Sequence, residues 1–193
     1  MIVSFLIELV ACILLVDFLT GFFHWLEDSY FDESTPIIGK LVIGPNLEHH
    51  VRPMAFTEST YWERNAITIY LALAFAGVSY LCGVLTLPWG LAILLGSQGN
   101  QIHYWTHIKA RHVPSIIWWL QRFRILQTQA HHVGGHHGQP FDDHYCIITN
   151  IVNPVLDTVR FWRGVEWIIY QLTGVRPRHY GEGKCRKQCP TLA

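Results

Sequence analysis

The sequence predicts an all-α integral-membrane protein with about three transmembrane helices, further interfacial helices and a cytoplasmic cap rich in histidine. Half of the 193 residues are hydrophobic and only 15% are charged, which is typical of a chain solvated partly by lipid. Twelve residues are histidine, far above ordinary usage. Lys plus Arg and Asp plus Glu balance at 14 each, so the net charge gives no reason to expect a nucleic-acid partner.

The first predicted span covers residues 2–25, long enough to cross a bilayer core of roughly 30 Å although it contains Glu8 and Asp17. It lacks a basic start and a small-residue cleavage site, so we predict a retained span rather than a signal peptide. The length suits one domain, and we predict a single membrane-embedded domain over 1–179, followed by a flexible basic tail over 180–193.

A helical hairpin is predicted next, because no Asp, Glu, Lys or Arg occurs between Arg64 and Lys109. That stretch is long enough for two helices of about 20 residues. Gly83 and Pro88 mark the turn, whereas a single long helix would need no such residues at its middle.

Basic residues predict the orientation, because they flank the hairpin and are scarce elsewhere near the spans. By the positive-inside rule both flanking segments are cytoplasmic and the N-terminus is outside. Segments 115–127 and 154–172 combine apolar stripes with arginine, and we expect helices lying in the membrane interface. Ordinary core helices of a cytosolic cap are the alternative.

Nine histidines are expected to converge on this cytoplasmic face from four separate pieces of chain. His103 and His107 are four residues apart, so both imidazoles project from one face if that segment is helical. A lone histidine is more often a packing residue, but this concentration predicts a metal site. The nine are His24, His49, His50, His103, His107, His131, His132, His136 and His137.

The number of ligands favours two irons over zinc. A zinc site needs about three or four protein ligands, whereas this set is enough for two metals with open positions for O2. Iron with O2 supplies the hydrogen removal that side chains cannot perform. A His-rich membrane metal transporter or metal-binding regulator is the alternative from another class, although transport ligands should line a path near mid-bilayer.

Acidic residues on the first helix are expected to support the metal ligands. Asp17, Gly21, His24 and Asp28 recur at spacings of 4, 3 and 4, which places them on one helix face. We predict that Asp17 accepts a hydrogen bond from a ligand imidazole and that Asp28 likewise supports the metal ligands without binding the metal itself. The alternative for Asp17 is a packed polar contact.

Several motifs in order resemble the Kua/CarF lipid desaturases. They are DFLTGFFHWLEDSYFD (17–32), EHHVRPMAFT (48–57), NQIHYWTH (100–107), HHVGGHH (131–137) and DDHYCIITNIVNP (142–154). The resemblance implies iron ligation by His24, His49, His50, His103, His107 and the last histidine cluster. It also implies two iron ions, O2 as co-substrate, a phospholipid substrate, and an electron donor such as cytochrome b5 or a ferredoxin with its reductase.

The register of the last cluster departs from the family pattern, because three residues rather than two separate its histidine pairs. His136 and His137 match the pattern, and we favour His132 over His131 because it lies four residues before His136. No ligand role is expected for the isolated His112, His144 and His179.

The expected reaction is a headgroup-proximal desaturation, most simply of a plasmanyl (alkyl ether) phospholipid to a plasmenyl (vinyl ether) phospholipid. An acyl-chain desaturase or hydroxylase on the same iron centre is the alternative, because the ligands do not separate these reactions. The expected location is the endoplasmic reticulum in a eukaryote or the inner membrane in a bacterium, with the active site on the cytoplasmic face.

Overall fold

The computed structural model describes residues 1–138 and 141–178, and those residues contain helices and loops but no strand. Short π-helical turns cover Gly39–Ile43 and His132–His136, and 3-10 turns cover Ala55–Glu58 and Ala110–His112. The predicted tail over 180–193 lies outside the described residues. The α-helices are α1 Ile2–Tyr30, α2 Gly44–Val51, α3 Tyr61–Leu81, α4 Leu87–Gly96, α5 Gly99–His107, α6 Ser115–Arg122, α7 Gln129–His131, α8 Val152–Thr158 and α9 Phe161–Thr173.

Two of these helices, α1 and α3, are long and apolar enough to cross a membrane. The 29 residues of α1 extend roughly 44 Å at 1.5 Å per residue, which exceeds the hydrocarbon core. A capping box fixes the start of α3: Thr60 Oγ1 accepts from the Glu63 amide, and Glu63 Oε2 accepts from the Thr60 amide at 2.7 Å.

The predicted hairpin turn is confirmed. The helix α3 ends at Leu81, and Gly83 takes a left-handed conformation with φ of 70°. Thr86 then caps α4, with Pro88 in its first turn.

The segment predicted as a third span is not one continuous helix. It is divided into α4 and α5 at Ser97 and Gln98, and neither part alone has spanning length. Gly96 and Gly99 flank the break and are poor helix formers. A Cβ on Gly96 would meet Val16 Cγ1 at 2.5 Å, so the glycine allows α4 to pack closely against α1.

The prediction of one helix over 154–172 was wrong, because the segment forms α8 and α9 with a reversal at Arg160. Arg160 takes a left-handed conformation with φ of 52°. The reversal leaves Val155 and Val159 exposed but turns Trp162 and Glu166 inward, where Glu166 Oε1 accepts a hydrogen bond from Trp25 Nε1. The placement of α6 and α9 in the membrane interface stays a prediction.

A buried extended segment, residues 145–149, joins the two apolar clusters of the interior. Ile147 and Ile148 pack with Val16, Ala92 and Ile102 in one cluster. The other cluster contains Tyr145, Cys146, Trp25 and Trp162. This segment runs along α1 and reaches the histidines.

Candidate metal centre

Four pieces of the chain bring histidines together at one end of the helices. They are the last turns of α1, the helix α2, the helix α5 and the turn that follows α7. The side chains divide into two neighbouring groups, which we call group A and group B. Group A is His49, His103, His107, His132 and His137, and group B is His24, Asp28, His50 and His136.

Group A contains five imidazoles. One ligand nitrogen from each lies within 4.8 Å of those of the others. His49 Nε2 is 2.9 Å from His103 Nε2 and 3.0 Å from His137 Nε2. Nitrogens that converge in this way surround a point as the ligands of one ion do.

Group B combines three imidazoles with the carboxylate of Asp28. The Asp28 oxygens lie 3.2 Å from His50 Nε2 and 3.5 Å from the Nε2 atoms of His24 and His136. Asp28 was predicted to stand behind the ligands, but the structure puts its carboxylate among them. The reason is the spacing: His24 and Asp28 are one helical turn apart on the same face of α1.

The two groups are adjacent because neighbouring residues in the sequence point into different groups. His49 belongs to group A and His50 to group B, and His137 and His136 are divided in the same way. The rings of His24 and His103, one from each group, are 6.2 Å apart between centroids.

Backbone carbonyls define the tautomers of two imidazoles in group B. His24 Nδ1 is 3.0 Å from the Tyr145 carbonyl, and His136 Nδ1 is 2.9 Å from the Asp143 carbonyl. A carbonyl only accepts, so each Nδ1 carries the proton and each Nε2 presents its lone pair to the group. This is the usual support of a metal-bound histidine.

The protonation of the other imidazoles and the lack of hydrogen-bond partners at several ring nitrogens both suit metal binding. Burial, followed by the neighbouring His107, lowers the pKa of His49 to about 2, and the same causes lower that of His137 to about 3. Neutral imidazole is the form that binds metal. Several nitrogens are buried without a hydrogen-bond partner, including His24 Nε2, His107 Nε2 and both ring nitrogens of His132, and such groups are costly unless something binds them.

Contrary to the prediction, Asp17 contacts no histidine among the residues that the structure describes. Its carboxylate accepts hydrogen bonds from the Ile148 amide at 2.9 Å, the Thr149 amide at 3.0 Å and the Thr149 hydroxyl at 2.6 Å. The packed polar contact is therefore the correct description. Asp17 lies two turns before His24 on α1, too far along the axis to reach the imidazoles, but it holds the segment whose Tyr145 carbonyl orients His24.

The other histidines that the structure describes, His112, His131 and His144, lie outside both groups. His131 Nε2 lies 3.3 Å from Asn153 Nδ2, and its ring contacts that of His144. His144 Nδ1 lies 3.0 Å from Asp143 and 3.1 Å from Asp157. His112 is exposed. His179 lies outside the described residues.

Two contributing side chains were missed from the sequence. Asn46 Nδ2 donates to Asp28 Oδ1 at 2.6 Å, and the Phe56 ring packs 4.7 Å from that of His103 and 5.0 Å from that of His49. Asn46 lies one turn before His50 on α2, so helical spacing could have identified it. Phe56 lies inside the motif EHHVRPMAFT, but no helical spacing indicates its contact with the histidines, because it follows the end of α2.

A cavity of about 540 Å³ opens beside the two groups, between α1, α3 and α4. His24, His49 and His103 line its wall. One end, which we call the polar end, carries Asn46, Glu48, Ser59, Glu63, Arg64 and Asn100, and the apolar end carries Leu71, Ala72, Phe75, Trp89 and Ile93. A cavity with this division suits an amphiphile whose apolar chain extends away from the histidines.

Comparison with known proteins identifies the family. A family model described as the lipid desaturase domain matches residues 13–180. The chain belongs to the lipid desaturase family. The resemblance inferred from the motifs is thereby confirmed, and the chain is an oxidoreductase that acts on lipids.

Members of the lipid desaturase family in several kingdoms are similar to the chain. It is 35% identical over 173 residues to a probable fatty acid desaturase of Acanthamoeba polyphaga mimivirus, covering 89% of this chain and 86% of the relative. It is 33% identical over 185 residues to plasmanylethanolamine desaturase 1 of Mus musculus, covering 90% and 68%. It is 29% identical over 175 residues to the chloroplastic fatty acid desaturase 4-like 2 of Arabidopsis thaliana, covering 88% and 61%. No solved structure matches.

Together, the apolar helices and the desaturase relatives indicate a membrane protein. The two groups of side chains could hold metal.

Proposed function

We propose that the chain is an O2-dependent di-iron lipid desaturase that introduces a double bond close to the headgroup of a phospholipid. The observation that carries this proposal is the pair of adjacent ligand groups beside one amphiphilic cavity. Group A would hold one iron and group B the other, with Asp28 as the carboxylate ligand. Bound iron would supply the O2-dependent removal of two hydrogens from an unreactive chain.

The chain's own residues would position the substrate and the ligands. The carbonyls of Tyr145 and Asp143 keep the Nε2 atoms of His24 and His136 unprotonated and directed into group B. The apolar wall between Leu71 and Ile93 would exclude water from the lipid chain. From Arg64 to Phe75 the wall extends roughly 16 Å along α3, about half of a bilayer core, so a chain that enters at the polar end has its proximal carbons near the histidines.

The favoured substrate is a plasmanyl phospholipid, which would be converted to a plasmenyl phospholipid. The relative from Mus musculus is named for a plasmanylethanolamine substrate, which supports this choice. The test is lipid mass spectrometry of a host that lacks vinyl ethers, supplied with alkyl-ether lipid, with and without the chain. Acid-labile release of long-chain aldehyde is expected only with the intact chain.

An acyl-chain desaturase is the second candidate, favoured by the names of the viral and chloroplast relatives. In the same experiment it would yield a new acyl double bond near the carboxyl end and no acid-labile aldehyde. A hydroxylated lipid without a new double bond would contradict both desaturase assignments.

The metal is tested by elemental analysis of the purified chain. About two irons per chain are expected, as in other di-iron proteins. One zinc and no iron after anaerobic purification would contradict the di-iron centre.

We also propose three membrane crossings, with the segment α4–α5 as the third and the metal groups on the cytoplasmic side. This orientation would give access to a soluble or peripheral electron donor, such as cytochrome b5 or a ferredoxin with its reductase. Tags at Met1 and Ala193 should then lie on opposite sides of the membrane. Both tags on one side would exclude an odd number of crossings.

A further inference from the structure

Arg64 is a buried cation without an ionic partner among the described residues. Its side chain and backbone together are only 9% exposed. The ion pairs of the described chain do not include it. Its neighbour Glu63 is the one acidic side chain that acts on it electrostatically, and that carboxylate is turned back to cap α3 at Thr60. A buried charge without a counter-ion is costly, so an anion is expected to complement it.

The position of Arg64 on α3 adds to this cost. It follows the capping box directly, in the first turn of a 21-residue helix, where the helix dipole favours an anion and disfavours a cation. The helix dipole would favour a lysine or arginine at the C-terminal end of α3 instead. An anion bound at Arg64 would benefit from both the guanidinium and the helix N-terminus.

The guanidinium is held rigidly at the cavity. Nη1 donates to Ser59, Nη2 donates to Gln101 Oε1 at 3.0 Å, and the group lies 4.0 Å above the centre of the Tyr104 ring. Its Nε is buried and has no hydrogen-bond partner. Arg64 lines the polar end of the cavity, so its fixed positive charge is placed where the phosphate of an amphiphile would lie.

The distance to the metal groups suits a lipid phosphate. Asn100 Nδ2 donates to the Arg64 carbonyl at 2.8 Å, and Asn100 lies one helical turn before His103 on the same face of α5. The guanidinium itself donates to Gln101, which lies two residues, or roughly 3 Å along the helix axis, before His103, so a phosphate bound at Arg64 would lie close to the histidines of α5. The carboxylates of the polar end belong to Glu63, which caps α3, and Glu48, which pairs with Arg52; Glu27 on α1 also lines the cavity.

We propose that Arg64 binds the phosphate of the lipid substrate and so determines which carbons of the chain reach the histidines. This inference rests on the lipid desaturase function proposed above. It assigns to Arg64 a positioning role for substrate, with no part in metal binding.

The test is equilibrium binding to the purified, metal-loaded chain in a non-ionic detergent. The probes are 1-O-hexadecyl-2-acyl-glycerophosphoethanolamine and the matching 1-O-hexadecyl-2-acylglycerol, which lacks the phosphate. The wild-type chain is expected to bind the phospholipid at least about tenfold more tightly, the value of one charge-assisted hydrogen bond. Arg64→Gln should remove this difference by weakening only phospholipid binding. Arg64→Lys should retain part of it, because lysine keeps the charge but not the fork.

The control is Arg111→Gln, which removes the same charge from an exposed position outside the cavity. Its binding of both lipids should equal that of the wild type. If Arg64→Gln weakened the binding of both lipids equally, Arg64 would have only a structural role between α3 and α5, and the proposal would be overturned. A wild-type chain without preference for the phospholipid would overturn it whether or not the variants fold. A wild-type chain with this preference but no desaturation would contradict the proposed function and leave the phosphate site standing.

Discussion

At the scale of single residues, the protonated atom of each imidazole decides what the site can bind. His24 and His136 donate from Nδ1 to backbone carbonyls, and their Nε2 atoms converge with the Asp28 carboxylate. Asn46 holds Asp28 from behind through a hydrogen bond of 2.6 Å. The result is a group of three imidazoles and one carboxylate, which differs from the purely imidazole group A.

Asp28→Ala is expected to remove the only carboxylate from group B. The iron content should fall from about two to about one per chain, and turnover should be lost, because group B loses its anionic donor and one of its four donor side chains. Elemental analysis of the purified variant measures this. Asp32→Ala, in the exposed turn after α1, is the matched control and should keep full iron. Full iron and full activity in Asp28→Ala would remove Asp28 from the ligand set.

Substitutions of the first two histidines of the HHVGGHH motif, His131 and His132, should have sharply different effects on iron content and turnover. His132→Ala should abolish turnover and lower the iron content, because His132 contributes a nitrogen to group A. His131→Ala should keep its iron, since the ring contacts Asn153 and His144 instead. Both variants are measured side by side for iron and for product. The opposite pattern would mean that the turn after α7 has another register.

At the scale of elements, the face of α1 works as a support for the segment 145–149. Asp17 accepts three hydrogen bonds from this segment, and His24, a member of group B, donates to its Tyr145 carbonyl. Asn153 and Gln127 hold its Cys146 carbonyl from the other side at 2.8 Å and 2.7 Å. The orientation of His24 therefore depends on helix packing as well as on ligand chemistry.

Gly21→Ala is expected to disturb this packing. The new Cβ would lie 2.9 Å from the Cys146 amide nitrogen and would also meet its sulfur, so the segment must move. We expect a loss of about 1–3 kcal/mol in the free energy of unfolding, as in other overpacked interiors. Gly77→Ala on α3, where nothing lies within 4 Å, should instead be neutral or gain up to about 1 kcal/mol. Thermal unfolding in detergent compares the two, and equal stabilities would show that α1 and the segment separate easily.

At the scale of the whole molecule, the candidate metal centre concentrates imidazoles in a buried volume. Burial and neighbouring imidazoles lower the pKa values of His49 and His137 to about 2 and about 3, from an ordinary value of about 6.5 in the unfolded chain. The unfolded chain therefore binds more protons below pH 6.5, and stability must fall as the pH falls.

The expected loss for the metal-free chain is up to about 1.4 kcal/mol per pH unit for each such histidine below pH 6.5. Melting temperatures at pH 7.5, 6.5 and 5.5 measure it. The melting temperature of the metal-loaded chain should stay constant until the pH is low enough for protons to displace the metal. His49→Ala removes one titrating group and should give a shallower pH dependence. A melting temperature of the metal-free chain that does not change over this range would contradict the buried, neutral state of the imidazoles.

The sequence alone determined the class of this protein, because apolar length, helical spacing and residue type are local properties. The hairpin turn at Gly83 and Pro88 and the common face of Asp17, Gly21, His24 and Asp28 follow from them directly. The HxxxH spacing likewise predicted that His103 and His107 would meet.

Only the tertiary structure decided how the donors divide and what supports them. His49 and His50 point into different groups, Asp28 stands among donors that include histidines from two other pieces of chain, and Asp17 bonds to a segment about 130 residues away. The breaks at Ser97 and Arg160 were also decided by packing, since α4 must fit against α1 and Trp162 must turn inward. Residues that are far apart in the sequence have no fixed spacing when they come into contact, so no local pattern could have predicted these contacts.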